Sequence, residues 1–220
     1  MLIRNLPTRL VPPLAFFKLA LGLVAFWATW GTPASQDPNF SYALHGLLPV
    51  AFGGTGALLL IGGRKDRRAV NLGAFFLAAS TAWSNRPLRL FTAGEAGPSL
   101  FSLADAFELD AFMAFFLWRF TRDFPVPAAT LPSHRRIQRV IRFSAAAGGI
   151  LFLLNLLGYV ARNTPAGSAV QEALAWFAPK RGQGFYYSVV LPLTASAFPF
   201  LLWKARFAPQ EDQRYLALTA

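Results

Sequence analysis

The stretch LFSLADAFELDAFMAFFLW, Leu100–Trp118, decides how this chain folds. It has the length of a membrane span, roughly 17 to 25 residues for about 30 Å of hydrocarbon. It also carries three carboxyl groups, Asp105, Glu108 and Asp110. If it crosses, the chain has an even number of spans and both ends lie on one side. If it does not, the topology changes with it.

The surroundings favour crossing. The chain is 55% hydrophobic, 15% aromatic and 14% charged, whereas a soluble domain carries about 25% charged residues. Apolar runs also cover Val11–Trp30, Tyr42–Gly63, Ala69–Trp83, Phe143–Val160 and Phe185–Trp203. The expectation is an all-α polytopic membrane bundle of about six transmembrane helices. Arg4 and Arg9 precede the first run, as they would in a signal peptide. That run is longer than the roughly 7–15 residues of a signal-peptide core, so an uncleaved helix is expected.

Orientation follows from the basic residues, which collect in cytoplasmic loops. With the N-terminus inside, the inner segments hold Arg4, Arg9, Arg64, Lys65, Arg67, Arg68, Arg119, Arg122, Arg135, Arg136, Arg139, Arg142, Lys204, Arg206 and Arg214. The outer segments hold Arg86, Arg89, Arg162, Lys180 and Arg181, and Lys18 lies within a span. Fifteen of 21 basic residues therefore fall inside, with both termini. Trp27, Trp30, Trp83, Trp118 and Trp203 fall near span ends, where indole rings favour the headgroup region.

The net charge of +11 invites a nucleic-acid reading, but the basic residues form short runs between spans instead of a basic-aromatic face. No nucleic-acid partner is expected. Arg135, Arg136, Arg139 and Arg142 lead into the fifth span and are expected to bind anionic lipid headgroups at the cytoplasmic face. Ser168 and Gln171 have capping-box spacing. Val170, Leu174 and Phe177 follow at helical intervals with Trp176 beside them, which suggests a short interfacial helix on the outer surface.

The absence of Cys from the sequence excludes disulfides, thiolate metal sites and cysteine nucleophiles. The hydrolase, metalloprotease, P-loop and dinucleotide motifs are absent from the sequence. His45 and His134 are expected on opposite sides, which argues against haem held by two histidines. The chain is thus expected to have no catalytic residues, metal or cofactor. Gly53, Gly54 and Gly56 suit close helix packing, and Pro192 and Pro199 suit a kinked sixth helix.

The polar residues within the spans are the candidate site: Lys18, His45, Asp105, Glu108 and Asp110. Intramembrane ionisable groups are costly and are usually paired or line a polar cavity. Ser102 and Asp105 have the spacing of an N-cap and its N3 partner, so Asp105 and Glu108 also suit a first helical turn at the outer interface. In a continuous helix Asp110 projects about 140° from Asp105 and about 160° from Glu108. Its depth matches that of Lys18, so the two are expected to form an ion pair or a shared polar pocket. The competing expectation is that Lys18 snorkels to the inner interface. His45 is expected at the level of Asp105 and Glu108, either as a sensor of protons or ligand or simply as an interfacial histidine.

The run Phe115-Phe116-Leu117-Trp118-Arg119-Phe120-Thr121-Arg122-Asp123-Phe124-Pro125 resembles the end of a hydrophobic helix, then Phe-Pro, then a basic loop, in multi-pass N-terminal regions of bacterial signalling proteins. Those regions precede histidine-kinase, PP2C-like phosphatase or cyclase modules. The polar turn Phe207-Ala208-Pro209-Gln210-Glu211-Asp212-Gln213-Arg214-Tyr215-Leu216 is similar to the segment that leaves such regions. The resemblance implies a sensory module of the bacterial inner membrane, without an output domain in this chain, and a membrane or cytoplasmic protein partner. An accessory subunit of a larger membrane complex and a small transporter are the alternatives.

Overall fold

A computed structural model describes residues 6–35, 41–93, 99–125, 134–164, 167–174 and 185–206. Helices make up the fold, and no β-strand occurs among the described residues. They are α1 (Leu6–Thr29), α2 (Leu44–Gly62), α3 (Arg67–Thr92), α4 (Leu100–Ala106), α5 (Met113–Asp123), α6 (His134–Arg162), α7 (Ser168–Leu174), α8 (Phe185–Ala195) and α9 (Ala197–Ala205). Four segments are long and apolar enough to cross a membrane: Pro7–Thr29, Leu44–Gly62, Arg135–Arg162 and Phe185–Ala205.

The remaining two expected spans depart from simple apolar rods. The third, expected to end at Trp83, runs on to Thr92 as a 26-residue helix, about 39 Å long. Helix α3 packs against α1, α2, α4 and α5 and buries Asn71, Ser80, Thr81, Ser84 and Asn85 along with Leu77 and Leu88. An interior helix shielded by its neighbours does not need an apolar surface, which is why it reads as polar. Arg86 and Arg89, expected in an outer loop, belong to this helix. Arg86 lies over the Tyr42 ring at 5.8 Å.

Asp66 caps α3, and its side chain accepts a hydrogen bond from the Arg68 backbone N–H at 2.8 Å. That bond, followed by the Arg68 side chain, holds the Asp66 carboxyl below the usual carboxylate range. A depressed folded-state value means that the cap stabilises above the unfolded value of about 4 and is lost as pH falls through the folded value. Asp66→Ala is expected to cost about 1 kcal/mol near neutral pH, with the deficit disappearing in acid. Unfolding midpoints of both proteins against pH will check this; a deficit that persists in acid would remove the cap as its cause.

The fourth expected span is interrupted. Ser99, not Ser102, is the N-cap, and Ser102 is its N3 partner in a capping box. This shift places Asp105 near the C-terminal end of α4. Phe107 and Glu108 adopt φ/ψ of −79°/79° and −78°/78°, the geometry of inverse γ-turns. Each turn closes with an i to i+2 hydrogen bond, from Glu108 N–H to Ala106 O and from Leu109 N–H to Phe107 O. A 3-10 turn, Leu109–Phe112, then leads into α5. The angular relations expected of a continuous helix do not survive the break.

Prolines lie within two other helical segments. Pro87 lies inside α3 and has no N–H for the Trp83 carbonyl four residues earlier. His45 supplies the missing donor, with Nδ1 at 3.0 Å from Trp83 O. Helices α8 and α9 form one rod interrupted at Ser196, near Pro192 and Pro199. There the Leu193 carbonyl accepts from the Trp118 indole N–H at 3.1 Å and the Ser196 hydroxyl at 2.8 Å. Trp118 is therefore buried as an interhelical tie, while Trp27, Trp30 and Trp203 are exposed.

Helix α6 continues the expected fifth span through its basic lead-in. Arg135, Arg136, Arg139 and Arg142 are exposed, whereas Ile137 and Ile141 are buried. Helix α7 covers the first part of the expected interfacial helix; Trp176 and Phe177 lie outside the described residues. Gln171 does not complete a capping box with Ser168, because its side-chain amide donates to Ala161 O of α6 at 3.1 Å. The C-terminal stretch Phe207–Leu216 also lies outside the described residues.

Candidate functional site: a charged cluster at a helix break

The break between α4 and α5 exposes backbone carbonyls that a continuous helix would have used internally. Lys18 of α1 answers them. Its Nζ donates to Phe107 O at 2.8 Å and to Asp105 O at 3.4 Å, and lies 3.6 Å from Glu108 Oε2. Its side chain is fully buried, with 0% exposure, so it does not snorkel to the interface. A cation at the C-terminal end of α4 also complements that helix's dipole.

Glu108 is the centre of the cluster. Asn85 Nδ2 of α3 donates to Glu108 Oε2 at 2.9 Å, and Arg89 Nη2 approaches Glu108 Oε1 at 3.4 Å. Arg89 Nε also donates to both carboxylate oxygens of Asp105, at 3.2 and 3.3 Å. One residue beyond the γ-turns, Leu109 opens the 3-10 turn, and Asp110 follows with its side chain buried. The Tyr186 hydroxyl of α8 donates to Asp110 Oδ1 at 2.5 Å. Asp110 Oδ2 and Asn85 Oδ1 are buried without a hydrogen-bond partner among the described residues.

Four of the five sequence candidates, Lys18, Asp105, Glu108 and Asp110, therefore meet at one place. The ion pair of Lys18 falls to Glu108 in place of the expected Asp110, because the γ-turns swing Glu108 back beneath the end of α4. Neither Asp105 nor Glu108 occupies the first turn of α4, which Ser99 caps and which ends at Ala106. His45 stands apart, with Trp83 O as its hydrogen-bond partner and the Tyr42 and Trp83 rings each 5.8 Å away. Its Nδ1 must carry the proton to serve a carbonyl.

Asn85, Arg89 and Tyr186 were absent from the sequence candidates. Thr81, Asn85 and Arg89 recur every four residues on α3, a polar stripe that would have been visible had the helix been extended past Trp83. Pro87 hid it. Tyr186 left no signal, because a tyrosine at a span end reads as an interfacial anchor.

A second lysine repeats the arrangement at the other end of α5. Lys204 of α9, expected as an inner-loop charge, is buried, and its Nζ donates to the carbonyls of Thr121, Arg122 and Phe124, the latter two at 3.0 Å. Each half of the interrupted segment thus has its C-terminal carbonyls held by a lysine from another helix. No metal-binding group of three or more His, Cys, Asp or Glu occurs among the described residues.

The fold and its four long apolar helices fit a helical membrane protein. No protein-family model, curated protein or solved structure matches the chain.

Proposed function

We propose that this chain is the multi-pass sensory region of a membrane signalling protein, without a catalytic domain of its own, and that the α4–α5 break is its responsive element. The observation that carries the reading is the attachment of the C-terminal helices to the interrupted segment. Tyr186 of α8 binds Asp110 beside the break, and Lys204 of α9 binds the far end of α5. A rearrangement at the break would move α8 and α9, the last described helices before the C-terminal segment. The likeness of Phe115–Pro125 to signalling regions supports the same reading.

In this reading α3 and the α4–α5 tandem cross the membrane as interior elements, giving six spans with both ends inside. Broken helices are tolerated at membrane depth where protein buries them. The basic asymmetry supports the orientation, and the exposed arginines of α6 rest against anionic headgroups of the bacterial inner membrane. A membrane or cytoplasmic effector receives the signal.

Because the sequence has no Cys, introduced cysteines provide unique spin-label sites. With labels replacing exposed Leu100 of α4 and Leu202 of α9, the bilayer-embedded protein is expected to show two distance populations. Glu108→Gln should shift their ratio. One distance, unchanged by Glu108→Gln, would sink the sensory reading. A transporter draws on the same discontinuous helix, a feature of transporter binding sites; it predicts ion or solute flux in liposomes that Asp110→Asn abolishes. An accessory subunit predicts a stoichiometric partner in mild detergent.

A further inference from the structure

The five charged groups around the break do not balance. Lys18 pairs with Glu108 at 3.6 Å, and Arg89 pairs with Asp105 at 3.2 Å while reaching Glu108 at 3.4 Å. Two cations therefore face three carboxylates, and Asp110 is the one outside every ion pair found among the described residues. Its hydrogen-bond donor is the neutral Tyr186 hydroxyl, on Oδ1. Oδ2 is buried without a partner among the described residues. An ionised carboxylate in such a place is so costly that it ordinarily neutralises.

The same groups form a path from the surface. Side-chain exposure falls from 47% at Arg89 to 14% at Asp105 and 5% at Glu108, and Asp110 lies beyond, buried. Carboxylates at graded depth are the usual components of a proton relay in membrane proteins.

We infer that Asp110 is a proton-binding site, loaded from the Arg89–Asp105 rim by way of Glu108. A proton from water forms an O–H bond at Asp110 Oδ2, Tyr186 keeps its own proton on Oδ1, and the cluster passes from one net negative charge to none. Release reverses the step and returns the proton to water at the rim. The groups that face Asp110 and set this equilibrium are Glu108 beside it, Lys18 of α1, and Tyr186 and Tyr187 of α8; Arg89 of α3 acts through Glu108, and Asp105 of α4 through Arg89. Helix α6 approaches the adjoining turn through Gly148, where a Cβ would stand 2.7 Å from Ala111 O. This inference deepens the sensory reading by naming the proton as the stimulus, and rests on that reading only for what protonation reports.

Infrared difference spectra of the full chain in liposomes test it, with protons as the probe. The wild type is expected to show the carbonyl stretch of a protonated carboxyl group at neutral pH, diminishing as pH rises. Asp110→Asn should remove the band and Asp105→Asn should keep it. Tyr186→Phe should move the band to higher frequency, because its carbonyl oxygen Oδ1 loses a hydrogen bond. The inference fails if the wild type lacks the band or if the band survives Asp110→Asn. If Asp110→Asn does not fold, an unmoved band in Tyr186→Phe overturns it. A band present while the Leu100–Leu202 distances ignore pH keeps the proton site and removes the sensory role; the opposite pattern removes the proton site alone.

Discussion

Lys18→Met is expected to destabilise the protein by about 3 kcal/mol, the low end of the cost of removing one partner of a buried ion pair, because Arg89 stays 3.4 Å from Glu108. Two contributions add here. The carbonyls of Phe107 and Asp105 each lose one hydrogen bond, at about 1 kcal/mol apiece, while Glu108 loses the cation 3.6 Å away. The second loss dominates, so neutralising Glu108 should restore more than half of the deficit. Unfolding in mixed micelles of Lys18→Met, Lys18→Met/Glu108→Gln and Lys18→Met/Asp110→Asn will separate the possibilities. Recovery with Asp110→Asn but not with Glu108→Gln would return the pairing to Asp110. A single variant within about 1 kcal/mol of wild type would place Lys18 among side chains that snorkel freely.

The second large effect lies at the crossing of α2 and α3. A Cβ on Gly56 would stand 2.7 Å from Gly73 O and 3.0 Å from Leu77 N, and a Cβ on Gly73 would stand 2.8 Å from Gly56 O. Backbone meets backbone there, and neither side can turn away. Gly56→Leu is therefore expected to cost at least about 3 kcal/mol, the upper end of overpacking penalties, and to separate α2 from the interior helix that carries Asn85 and Arg89. Gly54 is exposed, and a Cβ there would meet nothing within 4 Å. Gly54→Leu should fall within about 0.5 kcal/mol of wild type. Equal losses in the two variants would mean that helix propensity, not the crossing, governs this segment. The contrast is measurable by thermal unfolding and by the yield of folded protein.

Part of this architecture was legible from spacing. The four segments in Pro7–Thr29, Leu44–Gly62, Arg135–Arg162 and Phe185–Ala205 follow the apolar runs, since a lipid-facing helix must be apolar along its whole length. The glycines of α2 pointed to close packing, and Gly53 and Gly56 are buried against neighbours. Helix α3 was cut short because Ser84-Asn85-Arg86-Pro87 looks like a loop when read locally. It continues because His45, from another helix, satisfies the carbonyl that Pro87 leaves open. The break in the fourth segment was hidden for the converse reason. Nothing in Ala106-Phe107-Glu108-Leu109 disfavours a helix, and the γ-turns persist where Lys18 adds its own hydrogen bond to Phe107 O.

The residues alone determined that the chain is helical and built from apolar segments of membrane-crossing length, because hydrophobic length is a property of each segment taken singly. They also marked Lys18, Asp105, Glu108 and Asp110 as groups too costly to bury unassisted. The tertiary structure decided which of them touch. Lys18 meets Glu108, Tyr186 meets Asp110, and Asn85 and Arg89 join from α3, because the γ-turns reset the direction of every side chain after Ala106 and the neighbouring helices fix which donors reach the break. Two successive residues outside helical geometry, Phe107 and Glu108, end the regular 100° progression of side-chain directions, and no spacing rule contains that break.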